Sequence, residues 1–287
     1  MPLRRRGFFS ALLGALDGFA LSPQYAAGWS AFIARLPEHV ASHRVWMLKG
    51  QVTGPFTLGT NLLDEGGRCS YYHDDLRDVV VKSVALKAVW QIEQLRPFNL
   101  PVMIFLDEPA LVGFGSQTFL TVSREDVIGD INEVAAAIHG QGGLAGVHCE
   151  EKTDWSLLME SGLDILDFDA YDHVQAITLY PAELRAFLDR GGWLAWGIVP
   201  SLDRQAAATE TVPWLLVRFE AGVQRLVDKG FDRELLLRRA LITPSCGCGG
   251  VLTEPLAERV LGMLLETSMA LRERYGFYRQ GDETTEA

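Results

Sequence analysis

Cysteine is scarce in this chain: Cys69, Cys149, Cys246 and Cys248 are the only four among 287 residues. So sparse a set cannot staple a secreted fold. It fits reduced thiols or metal ligands in a cytoplasmic protein. Long apolar runs are missing as well. No stretch reaches the roughly 18–20 apolar residues that a membrane-spanning helix needs. Positive charge is in deficit, with 26 Lys and Arg against 37 Asp and Glu and a net charge of -11. That balance argues against a nucleic-acid or anionic-membrane partner and leaves room for a small anion in a local pocket. Internal repeats, low-complexity segments and linkers rich in Pro, Ser or Gly are also absent, which speaks against two separate domains.

The first residues imitate a signal peptide, because Arg4 to Arg6 precede an apolar run from Phe8 to Leu16. Asp17 ends that run and no small-x-small cleavage site follows, so an amphipathic helix or a frayed start is expected. A hydrophobic content of 48% is ample for a large core. Short apolar runs alternate with longer helical patterns. The expected strands are Val45 to Val52, Val102 to Leu106, Leu144 to Cys149, Ile165 to Asp169, Trp193 to Val199 and Leu241 to Thr243. Each reads as apolar on both faces, as buried parallel strands do. Helices are expected over Leu76 to Leu95, Arg124 to His139, Trp155 to Ser161, Pro181 to Arg190, Thr211 to Lys229 and Glu254 to Tyr275. Repeated β-then-α units predict an α/β fold with a parallel sheet. A single barrel domain over residues 1–287 is favoured, with 1–20 and 279–287 peripheral, and a doubly wound open sheet is the alternative.

In such folds the chemistry sits at the carboxyl ends of strands. Those ends are rich in His, Cys, Asp and Glu. Asp107-Glu108-Pro109 sets two carboxylates on opposite faces of a strand end, and the same residue types also suit a helix start. Thr53-Gly54-Pro55 removes bulk, so that a substrate can approach backbone, or makes an ordinary turn. His148 and Cys246 end two strands about a hundred residues apart, with Glu150 and Asp169 at the same level. A catalytic zinc takes three such ligands and keeps one position open. The residues alone leave a metal site and a hydrogen-bonded strand end as equal readings.

Taken in order, "QVTGPFTLG", "DEPAL", "VHC", "LDFDAY" and "TPSCG" resemble one superfamily from about Val45 to Tyr275. It joins the C-terminal barrel of cobalamin-independent methionine synthase with uroporphyrinogen decarboxylase and the corrinoid methyltransferases. The resemblance implies a (β/α)8 TIM-type barrel and a methyltransferase that moves a methyl group from a folate or corrinoid donor to a zinc-held thiol. It implies His148, Asp169 and Cys246 as metal ligands, with Glu150 standing where the family has its second cysteine and Cys248 as a substitute thiolate. It implies Asp107 and Glu108 as catalytic residues, and Thr53, Gly54, Pro55, Asp107 and Ser245 as substrate contacts.

Two positions depart from the family pattern. The family has His-x-Cys, whereas here the cysteine is Cys149 and Glu150 stands two places after His148. On a strand His148 and Glu150 share a face that Cys149 does not. The family also opens with one or two strands that are missing before Gln51, so the barrel is expected to be shortened at its start. Residues 18–21 are expected to supply a replacement strand, and a second copy or partner to cover the open edge. A metal-free folate or corrinoid methyltransferase, a decarboxylase and a truncated non-catalytic barrel are the alternatives.

Overall fold

A computed structural model describes residues 16–43, 45–149 and 153–277. The expected N-terminal helix over Phe8 to Leu16 falls largely outside these residues, as does Glu150. The fold is α/β, with six strands in one sheet in chain order. They are β1 (Leu48–Thr53), β2 (Val102–Asp107), β3 (Leu144–Cys149), β4 (Ile165–Phe168), β5 (Trp193–Val199) and β6 (Ala240–Pro244). The expected strands match to within a few residues. Residues 18–21 supply no strand, because a 3-10 turn occupies Leu16–Phe19.

The helices are α1 (Ala27–Ser42), α2 (Pro55–Asn61), α3 (Asp74–Leu95), α4 (Arg124–Gly140), α5 (Trp155–Glu160), α6 (Pro181–Asp189), α7 (Arg204–Thr209), α8 (Val212–Val227), α9 (Arg233–Arg238) and α10 (Glu254–Tyr275). Their starts follow local chemistry. The Ser123 hydroxyl accepts the Asp126 N–H at 3.0 Å to cap α4. Asp154 caps α5 through the Ser156 N–H at 3.1 Å, and Pro181 opens α6. Among the described residues no helix is long and apolar enough to cross a membrane.

The chain divides into two compact units, 1–165 and 166–287, each with its own core. In the first unit β1, β2 and β3 pair in parallel. Helices α3 and α4 pack on one face of these strands and bury Val52, Ile104, Leu106, Ala145 and Val147. The other face of β1 is not apolar as expected. Burial alternates along the strand, leaving Lys49, Gln51 and Thr53 exposed. In the second unit β5 and β6 pair in parallel, and Trp196 is wholly buried with ring centroids 5.3 Å from Phe168 and 5.1 Å from Phe219. Gly222 on α8 permits this contact, because a Cβ there would stand 2.8 Å from the indole.

β1 is the first strand of the sheet, so the Gln51 backbone faces away from β2. The buried amide of Gln91 on α3 fills that place. Its Oε1 accepts the Gln51 N–H at 3.0 Å and its Nε2 donates to the Gln51 carbonyl at 2.9 Å. One side chain thus replaces one rung of a neighbouring strand. Gln91→Leu keeps the volume and orphans both groups, at a cost of about 1–3 kcal/mol. The urea midpoint should fall at unchanged slope, and the variant should associate with rising concentration through its bared edge.

Candidate functional site

Strand register brings the polar residues of the first unit into rows. Gln51, Phe105 and Gly146 are neighbours across β1, β2 and β3, and so are Thr53, Asp107 and His148. Strands lie about 4.8 Å apart, so the second row spans about 10 Å. Thr53 is exposed and both Asp107 and His148 are half-buried. All three share the face that α3 and α4 leave open, at the carboxyl ends of parallel strands. Lys49 lies two rows back on the same face, 4.5 Å over the Phe105 ring and 2.9 Å from the Gln51 side-chain oxygen.

The next residue on each strand turns to the covered side. There Gly54, Glu108 and Cys149 meet. Glu108 is completely buried. Its carboxyl accepts the Phe56 N–H at 3.0 Å, the Thr57 N–H at 2.7 Å and the Thr57 hydroxyl at 2.6 Å. Pro55 opens α2 here, and its N-terminal N–H groups need such an acceptor. Gly54 is required beneath, since a Cβ would come within 2.2 Å of the Glu108 carboxyl. Burial pushes Glu108 up to about 7, against the pull of these donors. Cys149 is buried too, its thiol donating to the Glu108 carbonyl at 3.0 Å and lying 2.8 Å from the Thr153 hydroxyl. The pair Asp107-Glu108 is therefore split: Asp107 faces solvent beside His148, while Glu108 ties strand ends together.

The second unit has its own polar strand ends. Asp167 on β4 accepts the Thr243 hydroxyl of β6 at 2.9 Å. Gly197 of β5 is closely packed by its neighbours, and a Cβ there would stand 2.7 Å from the Phe168 carbonyl. Asp169 lies just beyond β4 and is 8% exposed. Its Oδ1 accepts the Tyr171 and Asp172 N–H groups at 2.9 and 3.1 Å, and Oδ2 lies 3.9 Å from His173 Nε2. Burial pushes this carboxyl up.

Ser245 is buried, its hydroxyl accepting the Ser201 N–H at 3.1 Å. The Ser201 hydroxyl in turn accepts the Cys246 N–H and donates to the Cys246 carbonyl, each at 2.8 Å. Cys246 and Cys248 are both half-buried.

Of the implied zinc ligands, His148 belongs to the first unit, Asp169 and Cys246 to the second, and Glu150 lies outside the described residues. Among the described residues no three His, Cys, Asp or Glu side chains gather as metal ligands. Three is the usual number for a catalytic zinc, so the described residues do not by themselves fit the group. Asp167, Thr243, Ser201 and Thr57 were not singled out from sequence. Asp167 carries a usable signal, since it stands two places from Asp169 and strand residues two apart share a face. Thr57 sits three residues into a Gly-Pro helix start, where a hydroxyl can share a buried acceptor.

No protein-family model matches the chain, and no curated protein matches it.

Glu108 makes stability depend on pH. Its folded pKa of about 7 lies above the ordinary 4.5, so the folded state keeps the proton longer. Its contribution is greatest below about 4.5, falls as pH rises toward about 7, and is level above. The drop is about 3 kcal/mol. Urea midpoints at pH 5 and pH 7.5 should show the wild type losing more stability than Glu108→Gln across that interval.

Proposed function

We propose that the chain is a methyltransferase of the cobalamin-independent methionine synthase type, built on a TIM-type barrel. It transfers a methyl group from a folate or corrinoid donor to the thiol of a small amino-acid acceptor. The observation that carries this reading is the Thr53–Asp107–His148 row, one open face at three strand ends formed by the residues that bear the resemblance. A cytoplasmic setting keeps such an acceptor reduced.

Each group in the row has work suited to its chemistry. The Asp107 carboxylate pairs with the acceptor's ammonium, and the Thr53 hydroxyl offers a hydrogen bond beside it. His148 takes the proton from the acceptor thiol, because imidazole is the side chain matched to proton transfer near neutral pH. The thiolate then attacks the methyl carbon. The S–CH3 bond forms as the donor's bond to that carbon breaks, and the donor keeps the electron pair. Glu108 touches no substrate in this scheme. It fixes the backbone on which Asp107 stands.

The test is methyl transfer to homocysteine from methyltetrahydrofolate and, separately, from a methylcobamide. His148→Ala should lower kcat by about 10²-fold or more. Asp107→Asn should raise KM for homocysteine about tenfold and leave KM for a thiol without an amino group unchanged. A folded, cooperatively melting protein that transfers from neither donor overturns the proposal and favours a non-catalytic binding module.

A further inference from the structure

Cys246 and Cys248 are separated by one glycine in the turn that leaves β6. The turn is held at both ends. At one end Ser201 bonds the N–H and the carbonyl of Cys246. At the other, Arg204 Nε donates to the Val251 carbonyl at 2.7 Å. Between these anchors Gly247, Gly249 and Gly250 are exposed, and a Cβ on any of them would meet nothing within 4 Å. Cys248 therefore sits on a short, uncrowded span beside a fixed cysteine. Residues two apart in a chain have Cα atoms within about 7 Å, inside the reach of a disulfide when the backbone turns. Neither of the other cysteines shares this setting: Cys149 is buried in the hydrogen bonds described above, and Cys69 lies in the first unit.

We propose that Cys246-Gly247-Cys248 is a redox-responsive dithiol that closes to an intrachain disulfide by exchange with a small-molecule disulfide, RSSR. One thiol gives its proton to solvent and its sulfur attacks RSSR. An S–S bond to the protein forms, and the RS⁻ that leaves takes up a proton as RSH. The second thiol, likewise deprotonated, attacks the protein-bound sulfur of the mixed disulfide and expels a second RS⁻. Two protein thiols are oxidised and one RSSR is reduced to two RSH. A ring closed over a single intervening residue is tight, so this bridge belongs to the labile, easily reduced kind. The inference does not rest on the methyl-transfer reading, and its readout is mass rather than turnover.

The experiment treats the full chain, natively folded, with oxidised glutathione, blocks remaining thiols and digests with trypsin. The peptide 240–259 contains both cysteines and no other. It should be about 2 Da lighter than the reduced peptide, without a glutathione adduct, and mild dithiothreitol should restore it. Cys248→Ser should instead carry a single glutathione on Cys246, and Cys69→Ser should behave as the wild type. A wild-type peptide that stays reduced, or that carries two glutathiones, overturns the proposal.

Discussion

One buried carboxyl organises the strand ends of the first unit. Glu108 sits under Gly54, takes three hydrogen bonds from the start of α2, and lends its carbonyl to Cys149. A hydrogen bond to a charged group is worth about 1.5–3 kcal/mol, whereas an orphaned buried carboxylate costs several. The arrangement is therefore all or nothing. With Glu108 in place, three segments far apart in sequence meet at one level, and the row beside it inherits their register.

The same alternation sorts open-face side chains from packed ones in both units. Asp107 and His148 face outward while Glu108 and Cys149 face the helices. Asp167 serves one side of β4 while Phe168 packs against Trp196 on the other. Adjacent residues with similar chemistry thus receive opposite duties from a period of two. Glycine then sets how closely neighbours approach. Gly197 has no side chain, and this lets the Phe168 and Pro244 carbonyls of the flanking strands close in on it.

Much of this was legible in the sequence. Strand positions followed from short apolar runs, and the separation of His148 from Cys149 followed from parity alone. The β1 face was misread because Lys49, Gln51 and Thr53 alternate with Leu48, Gly50 and Val52, and a glycine hides the alternation. The short helices α2, α7 and α9 were missed because they run only six or seven residues, too few to show a helical period. Helix α1 was missed with Pro37 inside it. The duty of Glu108 was not legible, because its partners Phe56 and Thr57 lie some 50 residues earlier and no local pattern joins them.

The Gln91 amide has a further consequence, in time rather than in space. Gln51 and Gln91 are 40 residues apart in the chain. During synthesis at about 5–20 residues per second, β1 leaves the ribosome some 2–8 s before the side chain that covers its edge. Gln91 in turn precedes β2 (Val102–Asp107), so its amide is available before β1 gains a neighbouring strand. The outer edge of β1 can thus be covered before its inner edge is paired.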